Sequence, residues 1–438
     1  MRAASMFARW RAHPFVRGVL ALQVGSLALT GVGFLASVVL ARTLGPVGYG
    51  AYGWVMSTGT TIGLLRRLGQ DYSATTRLAE ASAAADPDLA RRALVFYVFM
   101  SVATSVVLLP LAMLGAPWLT VGFADPLDMT LALRLYLVQG FWAVLAGLLV
   151  IALQGIRALR QLVLFETGTT LLGYALPVAA ALAGYGVVGV FWGQVAGSLV
   201  GAAVGALCYA VLARRADLLP SPATLVAGVF RPRLDVAAET RYGLSIAVDK
   251  NLVSLYNLLP VLVLGLVAAE SAVGELRVGM AYMAIPAVAL SPISRLLMVD
   301  IPRLRVEAPD RVRSAFLRVT RLALLASIAI ALPFVLLGWL VIPQIYGQAY
   351  ALAAPLVLVL ALDAATIGMG VAAGPVFRTY NRTDLPIVAS VAILALGLPT
   401  TWMLASAWGS YGAALAYGGM MLASRLVAYI QCLRVIPR

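Results

Sequence analysis

Charge is scarce in this sequence. Only 11% of its 438 residues are Asp, Glu, Lys or Arg, against 62% hydrophobic. A soluble chain carries about 25% charged residues, so this one cannot clothe a water-facing surface and must use lipid as its main solvent. Cysteine is nearly absent. Cys208 and Cys432 lie far apart in apolar stretches, which excludes a disulfide framework and a thiolate metal site and leaves two small buried hydrophobes. The one histidine, His13, sits on the N-terminal tail, so neither a histidine triad nor a zinc site can be assembled within a membrane. No Walker lysine motif occurs; ATP hydrolysis is not encoded and the sequence calls for no cofactor. Lysine is as rare as histidine, with Lys250 the only one.

What is abundant is long apolar runs. A span needs roughly 20 predominantly apolar residues, which predicts about twelve helices near 17–41, 49–66, 92–114, 131–153, 162–183, 187–212, 242–267, 273–297, 318–342, 353–377, 385–405 and 411–433. Segment length and the lack of short alternating strands favour helices over a barrel. The first run exceeds a signal-peptide core of about 7–15 residues and reads as a retained span.

The net charge of +14 would point to nucleic acid in a soluble protein. Here cationic loops on one membrane face explain it, and no nucleic-acid partner is expected. With the N-terminus placed in the cytoplasm, all but five of the 32 Lys and Arg fall in cytoplasmic segments or tails. The outward segments 115–130, 184–186, 268–272, 343–352 and 406–410 hold no cation, only Asp125, Asp128 and Glu270. Both termini are therefore expected in the cytoplasm. The Pro- and Arg-rich segment 214–241 divides the chain into an N-terminal six-helix lobe, 1–213, and a C-terminal one, 242–438. Gly184-Tyr185-Gly186 and Gly409-Ser410-Tyr411-Gly412 introduce the last helix of each half, a weak internal repeat of a kind known among transporters.

The stretch Ala41-Arg42-Thr43-Leu44-Gly45-Pro46-Val47-Gly48-Tyr49-Gly50-Ala51-Tyr52 resembles the first hairpin of the polysaccharide, or lipid-linked oligosaccharide, flippase family. That family belongs to the superfamily that also holds multidrug extruders and lipid II flippases. Ala272-Val273-Gly274-Glu275, Ile345-Tyr346-Gly347-Gln348-Ala349-Tyr350 and Tyr411-Gly412-Ala413-Ala414 are similar to later family motifs in the same order, although Glu275 stands where a tyrosine is usual. The resemblance implies an all-α polytopic membrane protein of two six-helix bundles forming a V around a central cavity, worked by alternating access. It implies no covalent catalysis. The substrate would be a polyprenyl-pyrophosphate-linked oligosaccharide drawn from the lipid bilayer, and the location a bacterial inner membrane. A polysaccharide polymerase and glycosyltransferases would act alongside it in cell-surface polysaccharide or lipopolysaccharide assembly.

Five cations remain outside the loops: Arg42, Arg134, Lys250, Arg277 and Arg425. A charge in hydrocarbon costs about 2.5–3.5 kcal/mol on insertion scales, so each should face a cavity or a partner, or snorkel from a helix end. Lys250, Arg277, Arg42 and Arg134 are the candidates for meeting a pyrophosphate. Asp363, midway along the tenth helix, and Asp249 are candidates for a coupling ion, with ion pairing the plainer alternative for Asp363. Gln23, Gln139, Gln154, Gln194, Ser57, Thr58, Thr60 and Thr61 suit sugar hydroxyls and equally suit helix–helix bonding. Glycines 189, 193, 197, 201 and 205 form a packing stripe. Three other functions compete: a drug or cation extruder, which would want buried acids; a glycosyl-transferring enzyme, which would want a large loop with paired carboxylates; and a non-transporting scaffold.

Overall fold

The computed structural model describes residues 14–230, 236–288, 290–382 and 384–437, with side chains from Ala28 onward apart from those at 245, 246, 249, 291, 292, 295, 296 and 299. Among the described residues there is no strand. The helices are α1 (Pro14–Arg67), α2 (Gln70–Ala84), α3 (Pro87–Thr120), α4 (Pro126–Gly155), α5 (Leu159–Leu182), α6 (Gly186–Arg215) and α7 (Pro222–Phe230). They continue as α8 (Val236–Val267), α9 (Glu270–Val288), α10 (Ser291–Glu307), α11 (Val312–Tyr346), α12 (Ala353–Gly370), α13 (Ala373–Thr379) and α14 (Asp384–Val435). Local chemistry starts several of them. Asp86 accepts from the amides of Asp88 and Leu89 at 2.9 and 3.0 Å and is followed by Pro87, whose missing N–H is harmless in a first turn. Asp125 and Pro126 do the same for α4.

Two of these helices are pairs joined at a kink. In α1 the break is Gly45 (φ 69°), and in α14 it is Trp408 and Gly409 (φ 55° at the glycine). Nine helices among the described residues are long and apolar enough to cross a membrane. Dividing α1 and α14 at their kinks makes eleven. The predicted eighth span, 273–297, is where the count of twelve becomes approximate. There α9 stops at Val288 and α10 starts at Ser291 with a proline in its first turn. Apolar side chains such as Leu114, Trp118, Leu336 and Trp339 are exposed, as lipid-facing surfaces require. Cys208 is exposed and not buried as expected, because it lies on an outer face of α6; Cys432 is buried.

The helices fall into two compact units, one containing the chain up to Arg42 with Val267–Arg438 and the other Thr43–Leu266. These units differ from the lobes 1–213 and 242–438 by the exchange of the first helix and α8, and specific contacts explain why. Tyr346 Oη lies 3.0 Å from Ser37 Oγ, and Tyr350 Oη donates to the Ala41 carbonyl at 2.9 Å. The two tyrosines of the motif Ile345–Tyr350 thus anchor the first helix. In the other unit Trp54 Nε1 donates to the Leu262 carbonyl at 3.3 Å, over Gly265, where a Cβ would stand 2.0 Å from the indole.

Close backbone approaches recur. A Cβ on Gly193 would lie 2.7 Å from the Leu176 carbonyl of α5, and one on Gly205 3.0 Å from Ala146 Cα of α4, so the glycine stripe of α6 is a packing seam. Gly69 (φ 80°) meets Gly243 of α8 backbone to backbone. A Cβ on either would fall 2.1 or 2.5 Å from the other's carbonyl oxygen. Beside that contact Glu239 accepts from Ser73 Oγ at 2.7 Å and from Arg77 Nε at 3.0 Å. The hydrogen bonds to Glu80 first and Glu239 second raise the Arg77 guanidinium further above its ordinary range.

Candidate functional site

The second half of α1 carries a polar stripe. Tyr52, Met56, Thr60, Gly63 and Arg67 follow one another at four- and three-residue spacing, which places them on one helix face. With Tyr136 and Gln139 of α4 and Gln194 and Ser198 of α6 they line a cavity of about 400 Å³ inside the Thr43–Leu266 unit. Thr60 Oγ1 lies 2.9 Å from Tyr136 Oη. Gly59 makes room for that ring, since a Cβ there would stand 2.0 Å from it. Gln194 is 9% exposed. Its Nε2 donates to Tyr52 Oη and Met56 Sδ, each at 3.4 Å, while Oε1 has no hydrogen-bond partner.

A second cavity of about 450 Å³ in the same unit is lined by Gln70, Asp71, Tyr72, Tyr97, Ser101 and Gln154. Arg66 and Arg67 line both cavities and so mark their junction. Arg66 is half-buried; its Nη1 donates to Ser105 Oγ at 3.2 Å, and its Nη2 would sit 3.4 Å from a Cβ on Gly140. Arg67 is exposed. Gln70 donates to Ser101 Oγ at 3.2 Å. Gln70 Oε1 and Asp71 Oδ1 are buried without hydrogen-bond partners among the described residues. Asp71 is the one carboxylate among the lining residues, against two guanidinium groups. The chemistry on offer is that of two guanidinium groups and one carboxylate among neutral donors and acceptors. No nucleophile–base pair lines either cavity.

The other residues singled out from sequence take separate places. Lys250 is exposed, with Nζ 4.1 Å from the centroid of the Tyr72 ring, a cation–π contact with a residue that lines the second cavity. Arg134 is held by a consequence of proline: Pro117 has no amide to give the Met113 carbonyl, and Arg134 Nε donates to that oxygen at 3.2 Å instead. Arg42 lies in the other unit, where Nε donates to the Ile345 carbonyl at 2.6 Å and Nη2 to that of Gln344. It thereby satisfies the last turn of α11. Arg277 is half-exposed on α9 and makes no hydrogen bond or ion pair among the described residues. Asp363 is paired. Arg425 bonds its carboxylate, its carbonyl and Thr366 Oγ1, and Tyr417 Oη donates to Asp363 Oδ2 at 2.9 Å. The Asp249 side chain lies outside the described residues.

Only Lys250 among the expected pyrophosphate contacts therefore touches a residue that lines either cavity. Arg66 and Arg67 were missed because charges at the end of a run are assigned to the loop. The signal was available in the stripe Tyr52, Met56, Thr60, Gly63, Arg67, which continues the polar face of the helix into the pair.

A model of a family described as polysaccharide biosynthesis protein matches residues 15–303. The chain belongs to that family. No curated protein matches it. Among solved structures it is similar to an inward-facing multidrug resistance MATE family transporter of the MOP superfamily. Identity is 15%, the alignment covers 93% of this chain and 94% of that one, and the TM-score is 0.74. It is also similar to the lipid II flippase MurJ in an inward closed conformation, at 10% identity over 94% of this chain and 87% of that one, with a TM-score of 0.70. This polysaccharide biosynthesis family member thus has the fold of multi-pass membrane transporters.

Proposed function

We propose that this protein is a flippase, moving a polyprenyl-pyrophosphate-linked oligosaccharide across the bacterial inner membrane for cell-surface polysaccharide assembly. The observation that carries the reading is the Arg66–Arg67 pair lining two adjoining cavities that also carry hydroxyl and carboxamide groups, in a chain of the polysaccharide biosynthesis family. A pyrophosphate entering lipid loses hydration, and charge-assisted hydrogen bonds from guanidinium groups replace it. Lys250, in contact with the Tyr72 ring of the second cavity's lining, supplies a third positive charge. Arg277, without a partner among the described residues, serves a separate step along the route. Arg42 and Arg134, both satisfied by carbonyls, hold helices in place. The lobes alternate their access, no covalent step occurs, and the polymerase and glycosyltransferases of the pathway are the partners.

The test is translocation in proteoliposomes of undecaprenyl pyrophosphate bearing a fluorescent oligosaccharide, followed by quenching from outside. Protein-dependent loss of protection supports the reading. Uptake of an organic cation with no movement of the lipid would replace it with the extruder.

Both termini and segment 214–241 are proposed to face the cytoplasm. In a background with Cys208 and Cys432 changed to alanine, Asp217→Cys and Asp128→Cys are expected to label from opposite sides of the membrane with an impermeant maleimide. Labelling of both from one side would overturn the orientation.

A further inference from the structure

A third cavity, of about 530 Å³, lies in the unit that holds Val267–Arg438, where the turn after α13 meets the last turns of α14. Its lining comes from two stretches, Tyr380, Arg382 and Leu385, and then Gln431, Arg434 and Val435. The two guanidinium groups have unequal duties. Arg382 grips Asp384 through two hydrogen bonds, at 3.1 and 3.2 Å, so its charge is already met. Arg434 is exposed and makes no hydrogen bond or ion pair among the described residues. A basic side chain in a last helical turn can bond the terminal carbonyls. Here Arg313 does so in its place, with Nη1 3.4 and 3.5 Å from the carbonyl oxygens of Leu433 and Ile436. The Tyr380 ring is held by Arg305, whose guanidinium lies 4.5 Å from the ring centroid and donates to the Thr379 carbonyl. Three guanidinium groups thus line the cavity or touch its lining, and Asp384 offsets one of them.

The surface leading to that charge is apolar. Leu426, Ile430 and Arg434 follow one another at four-residue spacing on α14, and all three are exposed. Val388 and Val391, one and two turns beyond Leu385, are exposed as well. An apolar track on a helix fit to cross a membrane therefore ends on an unpartnered cation, about 6 Å along the axis past Ile430.

We propose that this corner seats an anionic phospholipid, with Arg434 on its phosphate and an acyl chain along Leu426 and Ile430. The Tyr380 hydroxyl can donate a second bond to the headgroup. The occupant has to be amphiphilic: a free phosphate would use the charge and leave the apolar track uncovered. It has to carry net negative charge, since a zwitterionic headgroup brings its own cation against Arg305, Arg382 and Arg434. Basic pockets beside membrane helices recognise anionic headgroups by this chemistry. In the orientation proposed above, the lipid belongs to the cytoplasmic leaflet. The site shares no residue with the Arg66–Arg67 cavities and does not depend on the identity of the cargo.

The experiment follows binding of a fluorescent phosphatidylglycerol to the full-length protein in a neutral detergent, with three competitors: unlabelled phosphatidylglycerol, phosphatidylcholine and glycerol 3-phosphate. Arg434→Gln should weaken binding about fivefold, the worth of one cation at a membrane surface. Arg434 has no contact to lose, so the lipid-free thermal midpoint should not move, which checks folding. Ile430→Asn should also weaken binding. Arg215→Gln, at an exposed arginine ending α6 in the other unit, should leave it unchanged. Phosphatidylcholine should compete at least about tenfold less well than phosphatidylglycerol, and glycerol 3-phosphate not at all. Native affinity in Arg434→Gln would overturn the site. An equal loss in Arg215→Gln would replace it with diffuse attraction to the cationic face, and displacement by glycerol 3-phosphate would replace it with a site for soluble anions.

Discussion

Changing Arg66 and Arg67 together to glutamine is expected to abolish translocation of a pyrophosphate-linked sugar while leaving insertion and expression intact. A hydrogen bond to a charged group is worth about 1.5–3 kcal/mol, and tenfold in affinity corresponds to about 1.4 kcal/mol. Loss of two such contacts should therefore weaken binding by at least about a hundredfold. Arg66 should matter more than Arg67, because Ser105 and Gly140 fix its position whereas Arg67 is exposed. Arg66→Lys keeps the charge and forfeits the two-pronged geometry, so it should recover only part of the activity. Lys250→Ala should reduce transport less than the double change does. Transport near the native rate in the Arg66→Gln/Arg67→Gln protein would remove the site from the route.

The second large effect is expected at Arg425. Asp363 and Arg425 are 18% and 16% exposed at their side chains and belong to one network with Tyr417 and Thr366. Removing one member of a buried pair typically costs about 3–5 kcal/mol, because the remaining charge is stranded. Arg425→Ala should therefore lower the thermal midpoint in detergent sharply. Asp363→Asn should be milder, since Arg425 keeps the Asp363 carbonyl and Thr366. Combining Asp363→Asn with Arg425→Gln should recover stability beyond the sum of the single changes. The same experiment bears on ion coupling. If Asp363 is a cation site and Arg425 a dispensable neighbour, sodium will raise the midpoint of Arg425→Ala and of the native protein alike. The paired reading expects no sodium effect on the native protein.

Much of the architecture was legible because apolar runs, and the turn residues between them, are written along the chain without reference to distance. The structure departs where those signals are locally ambiguous. A proline after Leu290 splits the predicted eighth helix, whereas the break at Gly45 falls where the sequence places the turn between the first two spans. The site was harder to read. Asp363 stood out by its depth, yet its partner lies 62 residues on, and nothing in the sequence selects Arg425 over another cation. Arg134 also stood out, and its role depends on Pro117 in the preceding helix. Both components were visible; their meeting was not. Arg66 and Arg67 suffered the reverse error, since the rule that finds loops removed them from consideration as cavity residues.

The meeting of Gly69 with Gly243 has a mechanical consequence. Helices that mesh side chain into side chain must lift apart before they slide, and that separation costs packing. Here the two backbones touch directly, with little side chain between them. Among the ties between α2 and α8 is the clasp of Glu239 with Ser73 and Arg77, whose charged members are 25% and 35% exposed, joined by the contacts of Arg77 with Tyr242 and of Lys250 with Tyr72. Partly hydrated ion pairs weaken with salt and with competing charge. The grip at this corner of the protein therefore rests in part on partly hydrated charges and should loosen as the ionic strength of the solution rises.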